Sequence, residues 1–178
     1  MKKNLKNVLY TAAVVGVAST FIFASAHVTA DPVEEVKNPT DHHVPLPLTA
    51  NFAGEKAPLD VIDVKERFDR EMIINANLHS STTLVIKRAE RYFPIIEPIL
   101  KKNNIPDDFK YLCVIESTLS NVVSSAGASG FWQFMKGTAG EYNLVVDEYI
   151  DERYHLEKAT EAACKYFKDA KARFGSWT

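Results

Sequence analysis

Asp107-Asp108-Phe109-Lys110-Tyr111-Leu112-Cys113-Val114-Ile115-Glu116-Ser117 is the stretch on which the reading of the whole chain turns. Laid on a helix, Phe109, Leu112, Cys113 and Glu116 follow one another at i, i+3, i+4 and i+7 and share a face. Glu116 is then the only charge on an apolar stripe. Tyr111, Val114 and Ile115 make the rest of the helix apolar as well, so the segment reads as central to a core. Asp107 and Asp108 stand where a first helical turn favours negative charge. A carboxylate in the last turn loses solvation and lies beside the negative end of the helix dipole; both effects raise its pKa. An acid that stays protonated near neutrality can donate to a leaving group. The residues alone leave a second reading open, an ion pair of Glu116 with Arg88, Arg91 or Arg153.

Upstream, Val61, Ile62, Val64, Phe68, Met72 and Ile73 recur at three- and four-residue steps, and Leu84, Val85, Ala89, Tyr92 and Phe93 continue the period. Pro94 and Pro98 predict a break or kink there, with a restart through Ile95, Ile96, Ile99 and Leu100. Asn103-Asn104-Ile105-Pro106 supplies a loop before the decisive helix. No strand of period two stands out, so the fold class is all-α. Downstream, Ser117 to Gly130 is rich in small polar residues, the composition of a loop that wraps close to a ligand. Phe131-Trp132-Gln133-Phe134-Met135 follows, and aromatics beside an amide suit a sugar site, with apolar faces on pyranose rings and Gln133 on hydroxyl or N-acetyl groups. The same aromatics also fit a core.

The chain has 178 residues, 46% apolar and 25% charged, within the range of globular domains. A formal charge of -2 excludes a polyanion binder held by counterion release, so nucleic acid is not an expected partner. Lys2, Lys3 and Lys6 precede the apolar run Val8 to Ala24, and small residues lead up to Ala30, the pattern of a secretory signal. An uncleaved segment would instead associate the protein with a membrane. Either way the body lies beyond the inner membrane, in the periplasm or cell envelope. Pro32, Pro39, Pro45, Pro47 and Pro58 mark an extended linker. The organisation expected is therefore a signal peptide or anchor at 1–30, a Pro-rich linker at 31–58 and a helical domain at 59–178. Cys113 and Cys164 lie in apolar helical patterns and read as small buried hydrophobes, although an oxidising compartment would permit a bridge. His42, His43, His79 and His155 have no ligand spacing, and neither a metal nor a cofactor is expected.

Ile105-Pro106-Asp107-Asp108-Phe109-Lys110-Tyr111-Leu112 leading to Glu116-Ser117, followed by Ser124-Ser125-Ala126-Gly127-Ala128-Ser129-Gly130-Phe131-Trp132-Gln133-Phe134-Met135, resembles the soluble-lytic-transglycosylase family of lysozyme-like domains. The likeness is greatest to the membrane-bound lytic transglycosylase D branch. It continues through Val146 to Arg153 and through Ala159, Ala162, Ala163, Phe167, Ala170 and Phe174. The resemblance implies an enzyme that cleaves peptidoglycan glycan strands between N-acetylmuramic acid and N-acetylglucosamine, in cell wall turnover, with one catalytic carboxylate, Glu116. That acid would protonate the glycosidic oxygen and then, as base, help the muramic 6-hydroxyl close onto C1. The product would be a 1,6-anhydro sugar, which explains why a second carboxylate at hydrolase spacing is unnecessary. The substrate-binding residues implied are Ser117, Ser124 and Gln133. Counting back from Gln133 selects Ser124, whereas counting forward from Glu116 selects Ser125, because this loop is one residue short and lacks the usual Pro after Asn. Thr118 replaces a residue that is commonly smaller. Relatives continue past Phe174-Gly175-Ser176-Trp177-Thr178 into a helix with an Ala-Tyr-Asn motif, so a C-terminally truncated domain is the expectation, with its catalytic competence in question. A lysozyme-type hydrolase and a non-catalytic glycan-binding module are the alternatives on the same fold.

Overall fold

The computed structural model describes residues 45–177. The signal segment expected at 1–30 and the linker residues 31–44 lie outside the described residues. The described chain divides into two compact units, residues 45–52 with 56–79 and residues 53–55 with 80–177.

Part of the expected linker is folded. Strands β1 (Asn51–Phe52) and β2 (Glu55–Lys56) form a hairpin that turns at Ala53 and Gly54, with φ of 54° and 79°. Beyond it the Ala57 N–H donates to the Ala50 carbonyl at 2.8 Å. Helix α1 (Ile62–Ala76) follows the expected period, but among its residues only Phe68 is buried, and Ile62 and Ile73 are exposed. Asp63 and Arg67 pair across one turn at 3.1 Å, both largely in solvent, which contributes a few tenths of a kcal/mol.

Helix α2 (His79–Lys102) corrects the expectation of a break, for it runs through Pro94 and Pro98 without interruption. The prolines deprive the carbonyls of Glu90 and Pro94 of their donors. Glu90, Pro94 and Pro98 are all exposed, so water can replace what the prolines remove. On the opposite side Ile96 and Leu100 are completely buried and hold the helix in place. Truncating either to Ala costs about 2–5 kcal/mol.

A left-handed Asn104 (φ 55°) and a 3-10 turn at Asp107–Phe109 lead into α3 (Lys110–Ser117). Asp108 Oδ2 accepts from the Ala53 N–H at 2.7 Å. Lys110 Nζ reaches Glu97 at 2.8 Å and Asp107 at 2.5 Å, which ties the start of α3 to the proline-bearing part of α2. Helix α4 (Lys136–Glu141) and a 3-10 turn at Glu152–Tyr154 precede α5 (Leu156–Phe174). Small buried residues Ala159, Ala162, Ala163 and Cys164 let neighbours approach the backbone of α5 closely. Phe109 meets Phe167 with ring centroids 4.6 Å apart and Trp177 at 5.1 Å. Gly175, at φ 80°, closes α5 by donating to Lys171 O at 2.9 Å. Cys113 and Cys164 are free buried thiols. The all-α class expected from sequence holds.

Candidate active site

Glu116 occupies the last turn of α3, between buried Cys113 and Val114 on one side and buried Ser117 on the other. The short helix is fixed by its apolar residues, so its one acid is carried partway into the core. Glu116 is half-buried, and desolvation raises its carboxyl above the usual carboxylate range. No neighbouring charge of either sign accompanies that effect. The three arginines that could have paired with it are engaged elsewhere. Arg153 grips Asp151, Arg88 reaches Thr118, and Arg91 lies over the Tyr92 ring at 5.9 Å. Among the described residues no hydrogen bond or ion pair holds the Glu116 side chain. The ion-pair reading therefore lapses, and an unpaired acid raised by desolvation remains.

The chain turns sharply just after this acid. Ser117 is buried and donates its hydroxyl to Cys113 O at 3.0 Å, so that oxygen serves the helix and the turn. Thr118 and Leu119 both adopt left-handed φ, 51° and 55°. For residues with a Cβ such geometry costs on the order of 1–3 kcal/mol each and persists only where surroundings over-determine it. Here the Thr118 N–H donates to Val114 O at 2.7 Å, and Arg88 Nη1 donates to Thr118 O at 3.0 Å and Oγ1 at 3.2 Å.

The loop that follows is laced to itself. The Ser124 N–H donates to the Ala128 carbonyl at 2.9 Å, and Ser124 Oγ accepts from the Ala128 N–H at 3.0 Å. The Ser124 hydroxyl proton remains available, and the side chain is half-buried, whereas Ser125 is exposed. Gln133, left-handed at φ 48°, donates its amide to Gly130 O at 2.8 Å and Val122 O at 3.0 Å. Its Oε1 is the part left for a ligand. Arg153 donates from Nη1 to the carbonyls of Gly127 and Phe134, each at 3.0 Å. At Gly130, with φ 80°, a Cβ would lie 2.0 Å from the Arg153 carbonyl oxygen, so the chains touch there because no side chain intervenes.

The aromatic cluster is corrected from the sugar platform that its composition suggested. Phe131, Trp132 and Phe134 are all buried. Phe131 packs edge-on to Tyr92 at 4.8 Å, and Trp132 donates its indole N–H to Thr160 Oγ1 at 2.9 Å. These side chains pave the core beneath the loop, where their area is worth more than in a wet groove. Arg88, expected from the sequence only as an ion-pair partner of Glu116, instead holds Thr118. One residue went unmarked: Tyr166 on α5, half-buried, whose phenol is raised by burial and, in addition, by the charge of Glu116. A signal for it exists: Ala159, Ala162, Ala163 and Tyr166 fall at i, i+3, i+4 and i+7, so Tyr166 is the polar end of a small-residue stripe.

An open concavity of about 780 Å³ lies elsewhere, lined by Pro94, Glu97, Pro98, Lys101, Ile105 and Asp107. It does not include Glu116. The unpaired, desolvated carboxyl of Glu116 and the laced loop are the arrangement with chemical capacity.

Residues 93–178 match the family model of the transglycosylase SLT domain. The matched stretch runs from within α2 through α5 and contains Glu116, Ser124 and Gln133. SLT domains are lysozyme-like, all-α and of the lytic transglycosylase type that acts on peptidoglycan, and the helical unit described above agrees with that class. No curated protein matched the chain.

Proposed function

We propose that the SLT-type domain cleaves peptidoglycan without water, with Glu116 as its one acid and base. Glu116 donates its proton to the oxygen between N-acetylmuramic acid and N-acetylglucosamine as the C1–O bond breaks. The resulting carboxylate then accepts the proton of the muramic 6-hydroxyl, whose oxygen bonds to C1. A 1,6-anhydro end forms and Glu116 is left protonated for the next turnover. The observation that carries this reading is the unpaired, half-buried carboxyl raised by desolvation alone, because a hydrolase of the usual kind works with two carboxylates at set separation. The Ser124 hydroxyl and Gln133 Oε1 are the substrate-binding groups, and Ser117 acts through the turn it stabilises. The likeness to the membrane-bound lytic transglycosylase D branch supports a place in cell wall turnover. The basic and then apolar N-terminus supports export to the periplasm or envelope, with a membrane tether if it stays uncleaved.

The test is Glu116→Gln in the full chain, assayed by release of soluble muropeptides from purified sacculi. The amide keeps the shape but cannot shuttle a proton, so turnover should fall by about 10²-fold or more, with glycan binding retained. Activity close to wild type would remove Glu116 from the mechanism.

A further inference from the structure

We propose that Arg88 is a positioning residue for this reaction, a clamp from α2 that holds the left-handed turn after α3 and so fixes the direction in which Glu116 is presented. The proposal rests on the reading of Glu116 as the acid.

Helix α3 has eight residues, and Glu116 and Ser117 are its last two. Helix ends fray, because their final carbonyls have no partner within the helix. An acid at such an end needs something to hold it. Arg88 supplies this from a residue 30 positions earlier, with Nη1 on both the carbonyl and the hydroxyl of Thr118. The Thr118 hydroxyl in turn donates to Ser117 O at 2.7 Å, so the contact reaches the carbonyl of the residue that follows Glu116. The turn it secures is one that Thr118 and Leu119 do not favour by themselves, with φ of 51° and 55°. The guanidinium also sits at the negative end of the α3 dipole, a favourable place for a cation. It does so without entering the surroundings that shift the Glu116 carboxyl, which desolvation alone raises. Arg88 therefore holds the turn beside the acid without pairing with its carboxyl.

The experiment compares the full chain with Arg88→Ala, Arg88→Lys and Thr118→Gly, alone and with Arg88→Ala. Misplacing a reacting group by about 1 Å is worth on the order of 10²-fold in rate. Arg88→Ala should accordingly lower kcat by about 10-fold or more while KM moves less than about twofold. Arg88→Lys keeps the charge and one donor direction and should recover much of the loss. The pH at which activity fades on the alkaline side should stay where the wild type has it. Glycine adopts the left-handed turn freely, so in the Thr118→Gly background the Arg88→Ala loss should shrink. Amide hydrogen exchange gives a reading that needs no turnover: Thr118 and Leu119 should exchange about 10-fold faster in Arg88→Ala and unchanged in Glu116→Gln. An active wild type with Arg88→Ala equal to it overturns the clamp alone. Loss without rescue by lysine, or without faster exchange, does the same. A wild type without any turnover overturns the reading of Glu116, and the clamp's role in catalysis with it.

Discussion

Arg153 and Asp151 form a two-pronged pair, with Nη2 2.6 Å from Oδ2 and Nε 2.9 Å from Oδ1. The rest of the same guanidinium holds the Gly127 and Phe134 carbonyls. One buried side chain thus joins the 3-10 turn before α5 to Gly127 and to Phe134, two points of the loop that carries Ser124 and Gln133. The loop that offers Ser124 and Gln133 is as rigid as this junction.

Replacing Arg153 by Met should therefore be severe, since it removes the guanidinium from Asp151 and from two carbonyls and leaves the carboxylate only a backbone N–H. Breaking such a buried pair costs about 3–5 kcal/mol. Equilibrium unfolding in urea would show it as a lower midpoint, and a change below about 1 kcal/mol would mean that water substitutes for the guanidinium.

The same junction has a pH signature. The hydrogen bond from Arg153 holds the Asp151 carboxyl below its ordinary value. A depressed acid contributes stability that is present above its unfolded pKa, about 3.9, and lost as pH falls through its folded value. Wild type should thus lose stability below about pH 4 more steeply than Arg153→Met, measured as melting temperature against pH. Parallel curves would show that Asp151 is not coupled to folding through Arg153.

Gly130→Ala should damage the protein without touching any chemistry. Its Cβ would meet a backbone oxygen at 2.0 Å, and the φ of 80° disfavours any side chain. Backbone must move, so both stability and turnover should fall, with a loss of more than about 3 kcal/mol expected for overpacking at a strained position. Circular dichroism melts read it directly, and a melt like wild type would place the loop away from Arg153.

Glu116 carries the opposite sign to Asp151. Desolvation raises its pKa, so ionising it works against the fold, and that penalty is present above the raised value and absent below the unfolded value of about 4.3. Glu116→Gln should therefore melt higher than wild type at pH 7 to 8, and the difference should vanish as pH falls toward about 4. A variant that melts lower at pH 7 would show that the carboxylate has a stabilising partner.

Much of this site was legible because it is local. The apolar period around Glu116 lies within 11 residues of one another in sequence, Asp107 to Ser117, and both helix and lone acid follow from it. Pro94 and Pro98 were misread because the penalty for proline depends on whether water reaches the carbonyls it leaves open, and burial decides that. Phe131, Trp132 and Phe134 suit sugar and core equally by composition, and only the packing on Tyr92 and Thr160 chooses. Arg88 meets the turn after Glu116 from a distant helix, and its charge suggested a partner for the acid itself, whereas the contact is with Thr118.

The most direct test of the account is the fate of solvent oxygen. Purified peptidoglycan digested by the full chain in ¹⁸O-enriched water, with products weighed by mass spectrometry, separates ring closure from hydrolysis. The account predicts muropeptides one water lighter than reducing-end products, free of ¹⁸O, and absent with Glu116→Gln. Reducing ends carrying ¹⁸O would contradict it.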